Sequence, residues 1–183
     1  ASYVVGSTLD ATRRIMSGKR NRVFIPIAGL HHARPESAGG FCVFNDAGVA
    51  IHTLRKEYDI QRIAYVDIDA HHGDGVFYAF ESDPDLIFVD THQDGRTLYP
   101  GTGHAEETGI GAAQGRKLNL PLPPLTGDSN FLQLLPQISQ FLLDAKPDFI
   151  ILQCGADAIA GDPITEMRLS PTAYYLVATR LVQ

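Results

Sequence analysis

The stretch DFIILQC (148–154) is apolar at nearly every position. A strand with one face in water alternates apolar and polar residues. A continuous apolar run instead implies cover on both faces, as in a parallel sheet held between two helical layers. RIAYVDI (62–68) and DLIFVDT (85–91) share the pattern, and RVFIPI (22–27) and KLNLPL (117–122) are further strand candidates. Segments of helical period lie between these runs. Residues 3–17 carry Val4, Val5, Leu9, Ile15 and Met16 before a stop at Gly18. Residues 44–58 place Phe44, Ala47, Ala50, Ile51, Leu54 and Tyr58 on one face. A short helix is expected over 75–81 and a longer one over 129–146, broken or kinked at Pro136. Ser170-Pro171 opens a last helix with an N-cap and a proline at its first position. The alternation predicts a single α/β domain over 1–183, a three-layer α/β/α arrangement around a mainly parallel sheet.

Apolar residues make up 44% of the 183 positions, enough for one packed core. The formal net charge of −6 argues against the basic face that nucleic-acid binding needs. No apolar run reaches the ~18 residues that cross a bilayer. In the opening ASYVVGSTLDATRRIM the basic residues follow the apolar ones, unlike a signal peptide. Cys42 and Cys154 sit in apolar stretches without CxxC spacing and read as two buried free thiols of a reducing compartment. A cytoplasmic protein is expected.

Three clusters of reactive residues each follow a predicted strand: GLHHA (29–33), DIDAHHGD (67–74) and CGADAIAGDP (154–163). Parallel sheets bind ligands beyond the carboxyl ends of their strands, so this topology gathers the clusters at one rim. In extended chain, Asp67, Asp69 and His71 share one side. Two carboxylates and an imidazole form an anionic patch that a divalent cation neutralises, and Asp157 can supply a further ligand. Asp69, His71 and Asp157, an Asp-His-Asp set, would leave the open position of a catalytic metal site. Zn²⁺ suits the set, with Fe²⁺, Co²⁺ or Mn²⁺ as alternatives. His31 and His32 are the acid/base candidates, with Asp67 and Asp74 available to orient them. The bland readings are a solvated turn for DIDAHHGD and a helix N-cap for Asp157. His52, His92 and His104 are given no role, and 93–116 is a long polar, Gly-rich loop of the kind that often carries function.

GLHHARPESAGGFCVFNDAGVAI, YVDIDAHHGDGV, LYPGTG and LQCGADAIAGDP closely resemble the histone deacetylase superfamily, which includes acetoin-utilisation-type deacetylases and acetylpolyamine amidohydrolases. The resemblance implies an arginase/deacetylase-like fold and a zinc-dependent amidohydrolase acting on acetyl-lysine or an acetylated small amine. Carried over by position, Asp69, His71 and Asp157 are the metal ligands. His31 and His32 are the tandem histidines, backed by Asp67 and Asp74. Gly40, Phe41 and Tyr99 wall the acyl tunnel. A potassium or sodium ion is implied at Asp67, the carbonyls of Asp69 and His71, and the Asp90-Thr91 segment, although the family often has Ser where this chain has Asp90. A second monovalent ion is implied at carbonyls near Phe80, Asp83 and Leu86.

The family's oxyanion-stabilising tyrosine lies in a Gly-rich loop after a later strand, and these 183 residues hold no such loop. Tyr174 and Tyr175 fall in a predicted helix and are not assigned that role. The expectation is a fragment of a longer enzyme, incomplete at both ends and free to associate through an exposed edge or apolar patch. Loss of one transition-state donor typically costs about 10²–10³ in rate, so little activity is expected of this stretch alone. Two rival readings are a binuclear manganese ureohydrolase of the arginase type and an inactive metal-holding acyl reader. The first would want a second carboxylate near Asp157, where the chain has Gly155 and Ala156.

Overall fold

The computed structural model describes residues 1–181. Four strands, β1 (Ile63–Asp67), β2 (Leu86–Gln93), β3 (Lys117–Leu122) and β4 (Phe149–Gln153), form one sheet in the order β3-β2-β1-β4. Every pairing is parallel, with Asp67 level with Asp90 on one side and Gln153 on the other. The helices are α1 (Ser2–Met16), α2 (Asp46–Tyr58), α3 (Asp74–Ala79), α4 (Asp128–Leu132), α5 (Leu135–Ala145) and α6 (Pro171–Leu181).

Alternation within the buried strands sorts their side chains between two layers. Ile63 and Tyr65 of β1, with Leu86 and Phe88 of β2, pack on Ile51 and Leu54 of α2 and Val76 and Phe77 of α3. Their neighbours Ala64, Val66, Ile87 and Val89 pack on Ile138 and Leu142 of α5. Both faces are therefore covered, which makes the three layers. Each fully buried Leu, Ile or Phe contributes roughly 1.5–3 kcal/mol of burial. A third cluster, including Ile68, Phe131, Ala158, Leu169 and Val177, joins α4 and α6 beneath the carboxyl end of the sheet and anchors the segment bearing Asp157.

α2 begins where Asn45 caps it, accepting from the Gly48 N–H at 2.8 Å. The Asn45 amide also donates to the carbonyls of His31 and Ala33 at 3.2 and 3.0 Å, so the helix start fixes the histidine segment.

Several expectations are corrected. Residues 22–27 form no strand; the run turns at Pro26, where the Ile25 carbonyl accepts from the Ala28 N–H, and Phe24 and Ile27 are exposed. An apolar run becomes a strand only with a ladder partner, and this one has none among the described residues. Among the described residues β4 pairs on one side only, with β1, and Ile150 is 39% exposed. α1 buries Thr8, Ala11 and Thr12 rather than its larger apolar residues. The 129–146 helix is two helices. The break precedes Pro136, which sits in the first turn of α5, where a missing N–H costs nothing. Phe44 lies before α2 and is exposed, and Cys154 is half-buried. Among the described residues, no helix is long and apolar enough to cross a membrane.

Candidate metal and proton-transfer site

β1 ends at Asp67, and the chain turns through Asp69 and His71 into α3. Asp69 accepts from the His71 N–H at 2.8 Å, and Asp157 accepts from the Ala70 N–H at 2.9 Å, so backbone donors aim both carboxylates. His71 Nδ1 lies 2.7 Å from Asp157 Oδ2 and 3.2 Å from Asp69 Oδ1. Donor atoms of the three residues all fall within 4.8 Å of one another. Burial alone would lower the His71 pKa; the hydrogen bonds to Asp157 and Asp69 outweigh it and raise the value to about 9. The pocket thus draws positive charge. Two carboxylate oxygens and one imidazole nitrogen at this spacing fit a divalent cation.

Gly155 leaves room for the Asp69 carboxylate beside this cluster. A Cβ there would stand 1.9 Å from Asp69 Oδ2.

His31 and His32 are buried next to the cluster, with His31 Nε2 at 3.8 Å from Asp69 Oδ1. His31 Nδ1 pairs with Asp67 Oδ2 at 2.8 Å and His32 Nδ1 with Asp74 Oδ1 at 2.7 Å. The two Nε2 atoms face each other at 3.1 Å. Their environments diverge. Burial disfavours the charged form of both rings. At His31 the charges of Asp67 and Asp69 prevail and the pKa is raised to about 10. At His32 burial and the neighbouring His31 win over the bond to Asp74, and the pKa is lowered. Asp67 is also held by the Tyr65 hydroxyl at 2.6 Å and the Asp69 N–H at 3.0 Å, and Asp74 by Arg34 at 3.1 Å.

Of the expected tunnel residues, Gly40 and Tyr99 meet His32. A Cβ on Gly40, which has φ +47°, would lie 2.2 Å from His32 Cδ2. The Tyr99 ring sits 5.1 Å from the His32 ring, edge to face. Phe41, also at positive φ, is fully exposed.

The residues expected around a monovalent ion are buried together: Asp67 and Asp90 are level in register and wholly enclosed, and the Thr91 hydroxyl donates to the Asp67 carbonyl at 3.3 Å. Asp90 is engaged by His92 Nδ1 at 2.7 Å and the Gly73 N–H at 2.8 Å. His92, given no role from sequence, is therefore a buried partner of Asp90, and its other nitrogen meets the Gly103 carbonyl at 2.9 Å. Of the carbonyls expected near a second monovalent ion, Asp83 O and Leu86 O accept from Lys117 Nζ at 2.8 and 2.6 Å, and Phe80 O accepts from the Asp83 N–H at 3.1 Å. The Tyr174 hydroxyl donates to the Gly155 carbonyl at 2.7 Å, which ties α6 to the metal-side loop.

Sequence reasoning missed two supports. Gln153 Nε2 donates to Asp69 Oδ2 at 3.0 Å and to the Gly29 carbonyl at 3.2 Å. Its signal was a lone amide at the end of an apolar strand. The Asp46 carboxylate accepts from the N–H groups of Gly29 and Leu30 at 3.1 and 2.7 Å and from the Thr8 hydroxyl at 2.8 Å. An acidic first-turn residue carries no mark of that duty.

The model of the histone deacetylase domain matches residues 1–183. The acetoin utilization protein AcuC of Bacillus subtilis (strain 168) is 41% identical over 175 residues, covering 95% of this chain and 45% of that protein. A probable deacetylase of Archaeoglobus fulgidus is 36% identical over 184 residues, covering all of this chain and 50% of its own length. The crystal structure of the HDA15 HD domain superposes with a TM-score of 0.90 at 30% identity, over 97% of this chain and 53% of that one. The chain spans about half the length of the curated relatives it matches.

Proposed function

Since the chain belongs to the histone deacetylase family, we propose that it forms the metal- and histidine-bearing part of an amidohydrolase that removes acetyl groups from acetyl-lysine or acetylated small amines. The observation that carries this reading is the pair of imidazoles, each backed by its own carboxylate and 3.1 Å apart, beside the Asp69–His71–Asp157 cluster. Asp69, His71 and Asp157 would hold the ion, zinc on the resemblance. A divalent ion supplies there the Lewis acidity that polarises an acyl carbonyl and makes water a stronger acid.

The chain's own residues do the rest. Asp67 and Asp74 fix the δ nitrogens of His31 and His32, leaving both ε nitrogens to handle protons. The imidazole pair takes the proton of the attacking water and returns one to the leaving amine nitrogen, giving acetate and free amine. Gln153 and Gly155 keep Asp69 in place from its far side. Gly40, Phe41 and Tyr99 would line the approach of the extended acyl chain, with Gly40 admitting it past His32. Asp67, the carbonyls of Asp69 and His71, and the Asp90-Thr91 segment would hold the potassium or sodium ion that the resemblance implies, and Asp67 and Asp90 are enclosed together there. Two unbonded cysteines suit a cytoplasmic setting.

The binuclear manganese alternative would want a second carboxylate beside Asp157. The neighbours there are Gly155 and Ala156, and Asp69 fills the space against Gly155. Acetate release by the full-length protein from acetyl-lysine peptides and from acetylated polyamines tests the proposal. Release from either class, abolished in His31→Ala, is expected; urea release from a guanidino substrate would replace it with the ureohydrolase reading.

A further inference from the structure

Lys117 opens β3 and is 2% exposed, yet it carries an ammonium group. An ion so placed survives only with strong acceptors around it. The acceptors are two main-chain carbonyls, Asp83 O in the turn after α3 and Leu86 O at the first residue of β2. The reason that Leu86 O is available lies in the sheet. Carbonyls alternate sides along a strand; Asp85 O turns toward β1 and accepts the Ile63 N–H, so Leu86 O turns toward β3. β3 begins one pair too late to meet it, since Lys117 is level with Phe88. The side chain of the first β3 residue folds back and fills the gap its backbone leaves. The Asp83 side chain is pulled away by Arg55 and by the N–H groups of Asp85 and Leu86, so the ammonium faces carbonyls rather than a carboxylate partner.

We propose that Lys117 is a built-in monovalent cation whose ammonium occupies the carbonyl pocket of the 80–86 turn and excludes potassium and sodium from it. An ammonium group and a potassium ion are close in size and seek the same carbonyl oxygens. A tethered one removes any dependence on free cation concentration at this place and ties the 80–86 turn to the sheet edge. Burial lowers the Lys117 pKa to about 8, with the Asp83 charge opposing, which leaves the group charged at neutral pH. The proposal departs from the resemblance, which implied a free ion at these carbonyls, and it stands whatever acyl group the protein hydrolyses.

Rubidium marks potassium sites by anomalous scattering, so crystals of the full-length protein soaked in rubidium chloride give a direct reading. The expected result is no rubidium at Asp83 O and Leu86 O in the wild type and a rubidium peak there in Lys117→Ala. In solution, the Tm of Lys117→Ala should climb with potassium, against tetramethylammonium at equal ionic strength, by more than that of the wild type. Lys117→Met, which refills the stem without charge, should be destabilised and stay unresponsive. A rubidium peak at these carbonyls in the wild type overturns the proposal, as does full stability of Lys117→Met. If Lys117→Ala folds in neither salt, the wild-type crystal decides.

Discussion

The ε nitrogens of His31 and His32 face each other at 3.1 Å while their δ nitrogens are held by different carboxylates, Asp67 and Asp74. A contact between two imidazole nitrogens needs one to carry the proton and the other to offer its lone pair. The pair is therefore asymmetric by construction, and each carboxylate sets one ring's state. An amide in place of either carboxylate can impose the wrong tautomer. Asp74→Asn and Asp67→Asn in the full-length protein should each lower kcat by about 10²–10⁴ with little change in KM. Steady-state kinetics on an acetyl-lysine peptide check this; a change confined to KM would remove the proton-transfer assignment.

Gly155→Ala is expected to disturb the metal cluster without touching a ligand. Its Cβ would sit 1.9 Å from Asp69 Oδ2, so the carboxylate must move. Displaced ligand supports typically cost about 10–100-fold in metal affinity. Titration with zinc in the presence of a competing chelator, with far-UV circular dichroism as the folding control, measures the loss. Wild-type affinity would mean that Asp69 does not bind the ion from the position seen.

Asp46→Ala should destabilise the fold at the segment leading into the histidines. It leaves the N–H groups of Gly29 and Leu30 and the Thr8 hydroxyl without their acceptor. Unsatisfied buried groups cost about 1–3 kcal/mol each, offset where water reaches them. A urea midpoint lowered at constant slope is the expected result. An unchanged midpoint would show that the Asp46 bonds contribute nothing net.

Glu107 predicts a limb of the pH–stability curve. Burial would raise its pKa, but the His104 N–H, the Tyr78 hydroxyl and the Gly103 N–H hold it below the usual value. A depressed carboxylate adds stability that is fully present above its unfolded pKa of about 4.3 and is lost as pH falls through the folded value. Glu107→Gln should therefore flatten the fall in Tm below about pH 4.3 relative to wild type. Parallel acid limbs in the two proteins would contradict this.

The layers and the cluster were legible in the sequence because both follow short-range rules. Continuous apolar runs separated by helical periods imply a covered parallel sheet, and β1 and β2 obey. Reactive residues after strand ends imply a shared rim, and Asp69, His71 and Asp157 meet there. The failures come from partners that periodicity does not encode. Residues 22–27 have the composition of a strand and no ladder to join. DFIILQC has the composition of a central strand and, among the described residues, pairs on one side only, with β1. Lys117, Gln153 and Asp46 do their work on main-chain atoms distant in sequence, and a carbonyl or N–H has no residue-type signature. Lys117 in particular reads as an ordinary polar residue at a strand start.

The metal content of the purified full-length protein tests the central claim most directly. Elemental analysis after dialysis against metal-free buffer should find one divalent ion per chain in the wild type and none in His71→Ala or Asp157→Ala, each still folded by circular dichroism. Two ions per chain, or one ion retained in both variants, would contradict a single site at Asp69, His71 and Asp157.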